Sequence, residues 1–139
     1  MKKIIILLMI CTGVLAGCKK EEVVQIDDKM FLEQVNDIYI NPDEYLGKKI
    51  KYEGIFEQHE VADGEQDYTA VFRYGPGCCG DDGVVGFEVL WDKEYPQTDD
   101  WVEVVGKLVN NDEGGYQRLQ LELDELTVLP TRGEEVVGK

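Results

Sequence analysis

The chain has 139 residues, and its 14 basic against 29 acidic side chains give a formal net charge of −15 at neutral pH. This balance argues against a nucleic-acid partner, which requires a basic surface, and against a protein that lies flat on an anionic membrane. The length suits a single small domain with one hydrophobic core.

The first eighteen residues have the pattern of a bacterial lipoprotein signal. Lys2 and Lys3 precede the apolar run Ile4–Ile10, and Leu15–Cys18 places small residues directly before a cysteine. The run is too short to cross about 30 Å of hydrocarbon. We expect residues 1–17 to be cleaved and Cys18 to carry the acyl chains that anchor the protein to the outer face of the cell membrane.

Composition divides the mature chain into three parts. Residues 18–29 are rich in charge and are predicted to form a lipidated cysteine and a solvated tether. Residues 30–130 are predicted to form the folded domain. Residues 131–139 follow Pro130 without periodicity and are predicted to be a flexible tail.

The domain is predicted to be mainly β. Asn41 followed by Pro42 and two acids indicates a short helix that stops at Gly47, whereas residues 31–40 fit either helix or strand. Alternating or apolar patterns predict five strands, at Ile50–Glu57, Tyr68–Tyr74, Val84–Trp91, Trp101–Val109 and Leu119–Val128. Turns are predicted at Ala62–Glu65 and Asn110–Gly115. Five strands after a short helix favour a small OB-like barrel, in which Gly54 lets the first strand curl, and a two-sheet sandwich is the alternative.

The segment Arg73–Gly83 interrupts the pattern of strands and short turns and is the predicted functional loop. It holds two adjacent cysteines, Cys78 and Cys79, two adjacent acids, Asp81 and Asp82, and several glycines. Because Cys11 leaves with the signal and Cys18 is lipidated, Cys78 and Cys79 are the remaining thiols. The flanking Arg73 and Tyr74 are candidate binding residues.

Three interpretations of the cysteine pair stay open. The thiolates are candidate ligands for zinc or copper(I), together with Asp81, Asp82 or the sole histidine, His59, although the ligand count is low for a closed zinc site. Alternatively, they form a vicinal disulfide, which is strained because adjacent Cα atoms lie about 3.8 Å apart. In the third interpretation they are structural residues without a ligand.

Motifs of several enzyme classes are absent from the sequence. There is no GxSxG nucleophile elbow, no phosphate-binding GxxxxGK[ST] and no HExxH. We therefore expect a binding protein and not an enzyme.

The chain resembles an uncharacterised bacterial family in five segments: Asn36–Tyr39, Tyr45–Lys48, Gly54–Phe56, Arg73–Phe87 and Asp100–Glu103. The cysteine pair and the acid that follows it are the most specific element of the resemblance. The resemblance covers Met30 to Leu129. Members carry this domain beside a predicted permease, many after transmembrane helices that a lipobox replaces here, and some are associated with zinc-responsive gene sets. The resemblance implies a permease partner and favours a metal site at Cys78, Cys79 and Asp81 or Asp82.

Overall fold

The computed structural model describes residues 21–59, 67–112 and 114–138. The predicted signal, Cys18 and the predicted turn at residues 62–65 lie outside these ranges. The described chain is mainly β, as predicted. Its elements, in chain order, are β1 (Val23–Gln25), a 3-10 helix (Asp28–Met30), α1 (Phe31–Ile40), a second 3-10 helix (Pro42–Glu44), β2 (Lys49–His59), β3 (Tyr68–Gly77), β4 (Gly80–Leu90), β5 (Trp101–Asn110) and β6 (Leu119–Val128).

The strands form one sheet of six, with the order β1-β2-β3-β4-β6-β5 and an additional pairing between β2 and β5. Because β2 also pairs with β5, the pairings that run from β2 through β3, β4, β6 and β5 lead back to β2. The first half of β2 pairs with β5 and the second half with β3, and Ile55 pairs with both. Gly54 permits this bend, because a Cβ there would lie 2.8 Å from the carbonyl oxygen of Phe72. The pairing of β2 with two different strands on either side of Gly54 agrees with the predicted bend at this residue.

The core lies between the strands and α1. Residues 31–40, which fit either helix or strand in the sequence, form a helix that buries one face through Phe31, Val35 and Ile38. The spacing of these three residues places them on one side of the helix, where they join a cluster that includes Tyr52 and Phe87. The short helix predicted after Asn41 is a single 3-10 turn, and the chain leaves it through Gly47 at φ +82°.

The folded part of the chain extends beyond both ends of the predicted domain, residues 30–130. Residues 23–25 of the predicted tether form β1, which pairs in parallel with β2, and Ile26 is buried. In the predicted tail, Val137 is buried and its N–H donates to Tyr74 O at 2.8 Å. Both segments cover strand edges that would otherwise lack hydrogen-bond partners, and the sequence patterns of the segments themselves do not show this.

Candidate metal centre

The predicted functional loop is an extended hairpin. β3 continues through Gly77 and β4 begins at Gly80, so that Cys78 and Cys79 form the two-residue connection between the strands. Gly77 pairs with Gly80, which has φ +118°. A positive φ is readily adopted only by glycine, and this explains the glycine directly after the cysteines. Most of the predicted functional loop, residues 73–83, thus belongs to β3 and β4, and only the two cysteines form the turn.

The turn brings both thiols to one side. The Sγ atoms of Cys78 and Cys79 lie 3.5 Å apart, whereas neighbouring side chains of a regular strand point to opposite faces. Asp82 follows on β4, and its Oδ2 lies 3.8 Å from Cys78 Sγ. The N–H of Cys79 donates to Asp82 Oδ1 at 3.3 Å, which holds the carboxylate over the turn. The sequence placed these residues on one segment, and the turn brings them together in space.

Cys78, Cys79 and Asp82 form a three-donor cluster, which we call the tip cluster. One ligand atom from each residue lies within 4.8 Å of the others, and all three side chains are exposed. Two thiolates and one carboxylate match the donors that zinc accepts, and a thiolate pair suits copper(I). A tetrahedral ion held by these three residues would keep one position open to water or to a donor from another molecule.

Two further predicted ligands are not part of this cluster. Asp81 is adjacent but lies outside the group of converging donors. His59 stacks on Tyr68 with ring centroids 4.7 Å apart, and its Nε2 lies 3.0 Å from Glu57 Oε2. Tyr68 begins β3 and the cysteines follow the end of this strand, a separation of about 30 Å along ten extended residues. The candidate role of His59 in the ligand set is therefore corrected.

Arg73, a predicted binding residue, faces the interior. It is 1% exposed, its Nε donates to Glu53 O at 2.8 Å and its Nη2 donates to Asp28 Oδ1 at 2.7 Å. Its guanidinium lies 4.5 Å from the ring centroid of Phe31 and 5.0 Å from that of Trp101. This environment makes Arg73 a structural cation, which corrects its assignment as a binding residue.

Tyr74, the other predicted binding residue, remains partly accessible. It is 37% exposed, and its ring meets that of Phe72 edge-on at 5.4 Å. Its backbone N–H donates to Glu135 O at 2.7 Å, which ties the C-terminal segment to β3. Tyr74 lies three residues before Gly77 and outside the tip cluster.

A second polar cluster, for which no sequence pattern was found, lies at the opposite end of β3. Glu88 accepts hydrogen bonds from Arg118 Nε at 2.8 Å and from Gln120 Nε2 at 2.7 Å. These residues come from β4, the β5–β6 connection and β6, about thirty positions apart in sequence. No local motif joins them, so only strand pairing reveals the cluster.

The structure leaves the predicted lipid anchor untested, since Cys18 lies outside the described residues. Among the described residues, no helix has the length and apolar character required to span a membrane.

Comparisons with known proteins identify the family. The family model described as the DUF1980 C-terminal domain matches residues 11–133. A curated protein of Streptococcus mutans serotype c (strain ATCC 700610 / UA159), provisionally named as a two-component membrane permease complex subunit, is 33% identical over 85 residues. This match covers 60% of the chain but 30% of the relative. The resemblance to an uncharacterised permease-associated family is confirmed, and the chain belongs to the family of the DUF1980 C-terminal domain.

Proposed function

We propose that this protein is a lipid-anchored, extracytoplasmic subunit of a membrane permease complex that captures or senses a thiophilic cation, zinc or copper(I). Cys78, Cys79 and Asp82 would hold the ion, and the protein would act as a binding subunit without catalysis. The observation that carries the proposal is the convergence of two thiols and a carboxylate within 4.8 Å at an exposed hairpin turn.

The permease role rests on the family and on the provisional name of the streptococcal relative. The anchor rests on the lipobox that ends at Cys18. A net charge of −15 supports a cation ligand, since a negative field raises the local concentration of cations near the protein. The parallel pairing of β4 with β6 and the return of the pairings to β2 support an OB-like barrel as the scaffold.

The exposure of the tip cluster supports delivery more than storage. A structural zinc site is closed by four protein ligands, whereas this cluster supplies three, all of them exposed. An ion held here would be accessible to a fourth donor from the permease. The hairpin would present that ion away from the core.

Zinc binding tests the proposal on the full chain in detergent, with Cys11→Ser and Cys18→Ser so that Cys78 and Cys79 are the only thiols. We call this protein the two-thiol chain. After reduction, native mass spectrometry is expected to detect one zinc ion per chain. The ion should be lost in the Cys78→Ser/Cys79→Ser variant. Equal zinc binding by the two proteins would contradict the proposal.

Asp82 has a matched control in its neighbour Asp81. Asp82→Asn should weaken zinc binding about tenfold, measured by competition with a chromophoric chelator, since it replaces an anionic ligand by a neutral one. Asp81→Asn makes the same charge change one residue away and should leave affinity within about twofold. Equal effects of the two variants would show that charge near the hairpin matters and that Asp82 is not a ligand.

A second candidate function is a ligand-free interaction module with a redox-active cysteine pair, favoured by the Sγ–Sγ distance of 3.5 Å. Oxidation would form an S–S bond between Cys78 and Cys79 as two protons and two electrons pass to a small disulfide oxidant. Mass spectrometry of the two-thiol chain distinguishes the candidates. A mass loss of two hydrogen atoms that reductant reverses, with no zinc bound after reduction, would favour this second function.

A further inference from the structure

A cavity of about 210 Å³ lies at the end of the sheet opposite the tip cluster. Its lining comes from β2, β3, β4 and β6 and from the connections before β3, after β4 and before β6, and includes Gln58, Asp67, Tyr68, Glu88, Tyr95 and Arg118. Within the described part of the chain, Val89 and Leu90 are the only purely apolar residues of the lining. The cavity is smaller than the ~300 Å³ at which pockets for drug-sized ligands begin, so its ligand would contain one small ring.

Hydrogen bonds within the chain fix the polar groups of this cavity. Gln120 is 3% exposed, donates to Glu88 Oε2 at 2.7 Å and accepts from Asn111 Nδ2 at 3.2 Å. Arg118 Nε donates to the same Glu88 oxygen at 2.8 Å. Arg118 and Gln120 thus converge on one oxygen of Glu88, and a guanidinium donor and a carboxylate acceptor lie side by side in the cavity lining. The cavity therefore presents a fixed donor–acceptor pair.

The tyrosines form the walls of the cavity. Tyr95 stacks on Phe56 at 5.5 Å between ring centroids, and its hydroxyl accepts from Trp91 N at 3.2 Å. Tyr68 is 36% exposed and stacks on His59. Aromatic walls beside a hydrogen-bonding pair suit a ligand with one apolar face and polar edges.

The charge of the cavity disfavours most charged ligands. An anion would meet the carboxylates of Asp67 and Glu88 in a chain of net charge −15. An organic cation would gain little electrostatic attraction from this cavity, because Arg118 neutralises Glu88 and Asp67 already interacts within the chain. A metal ion is disfavoured because the described residues bring three potential ligands together only at the tip cluster. A neutral molecule with hydroxyl groups fits the remaining chemistry.

We propose that this cavity binds a neutral sugar ring, with one of two adjacent hydroxyls accepting from Arg118 and the other donating to Glu88. The paired side chains are 31% and 28% exposed, so a ligand can reach them, and the pair needs no net charge from the ligand. This site is independent of the proposed metal function, since it uses other residues at the other end of β3.

Saturation-transfer NMR on the full chain in detergent tests this inference. The probes are D-glucose and N-acetyl-D-glucosamine, with glycine as the zwitterion and inorganic phosphate as the anion. We expect a signal from at least one sugar, with a Kd on the order of 1 mM, and none from glycine or phosphate. Absence of a sugar signal, or stronger binding of glycine or phosphate, would overturn the inference.

Variants locate the binding site. Glu88→Met/Arg118→Met removes both charges together and should weaken sugar binding at least tenfold. Gln58→Trp fills the cavity from an exposed position, leaves the ion pair intact and should also abolish binding. The control Lys107→Met/Glu122→Met removes a surface ion pair of 3.6 Å outside the cavity and should have no effect. Sugar binding that survives Gln58→Trp in the folded protein would place the ligand elsewhere and overturn the inference.

Discussion

The carboxylate of Asp82 lies in the space that a side chain at residue 77 would occupy, since a Cβ built on Gly77 would overlap Asp82 Oδ1. The same Cβ would lie 2.7 Å from Gly83 N. The absence of a side chain at residue 77 thus lets Asp82 reach across the hairpin toward Cys78 and the N–H of Cys79.

Gly77→Ala is therefore expected to displace Asp82 from the tip cluster. Zinc affinity of the two-thiol chain should fall about tenfold, as for the loss of one ligand, measured by chelator competition. Pro76→Ala, at an exposed neighbouring position of the same strand, should leave affinity within about twofold. Unchanged affinity in Gly77→Ala would show that Asp82 does not contribute to binding.

The buried cation at Arg73 should matter more to stability than Arg132, although both lie near the ring of Trp101. Arg73→Met keeps most of the apolar volume but removes hydrogen bonds to Glu53 O and Asp28, and should lower the free energy of unfolding by about 1–3 kcal/mol. The side chain of Arg132 is 36% exposed, and Arg132→Met should cost at most about 1 kcal/mol. Urea denaturation measures both, and equal losses would contradict the structural role assigned to Arg73.

The packing of α1 can be tested with two isoleucines of the same helix. Ile38 is fully buried and Ile40 is 75% exposed. Ile38→Ala should lower the free energy of unfolding by about 2–5 kcal/mol, because it leaves a cavity against the sheet. Ile40→Ala should change it by about 0.5 kcal/mol or less, and similar values for both would mean that α1 does not pack as described.

Tyrosine ionisation should destabilise the fold at alkaline pH. The Tyr39 side chain is 44% exposed, but desolvation of its hydroxyl, with a contribution from the charge of Glu88, raises the pKa of Tyr39 to about 12, and this hydroxyl donates to Gly86 O at 2.9 Å. Burial also raises the pKa of Tyr52, which donates to Val71 O at 2.7 Å. The folded state therefore favours the protonated phenols. Stability should be full below pH ~10, the ordinary tyrosine pKa, and decline as the pH rises toward 12 and beyond.

Ultraviolet absorbance at rising pH measures this effect. Tyr39 and Tyr52 should ionise at higher pH than Tyr116, which is 82% exposed, and Tyr39→Phe should reduce the loss of stability above pH ~10. If all tyrosines ionise together near pH 10 while circular dichroism remains native, the desolvation assigned to the Tyr39 and Tyr52 hydroxyls is wrong.

Local patterns in the sequence predicted most of the sheet. The alternation in residues 50–57 and 119–128 and the mostly apolar residues 101–109 lie within β2, β6 and β5, because alternation and apolar character are local properties of the strand itself. Local patterns did not predict β1 or the burial of Val137. Short segments that pair with a strand edge are held by that strand and have little hydrophobic pattern of their own.

The sequence by itself predicted the lipobox and determined the acidic charge, the mainly β character and the segment that holds the candidate metal centre, since each depends on composition or local order. Only the tertiary structure decided which residues meet. In the structure the predicted loop is a hairpin, Asp82 and not Asp81 lies with the two thiols, and His59 lies apart from them. Arg73 is buried, and Glu88, Arg118 and Gln120 meet beside a cavity. Strand pairing and register fix these distances, and residues that are distant in sequence show no shared pattern until the strands pair.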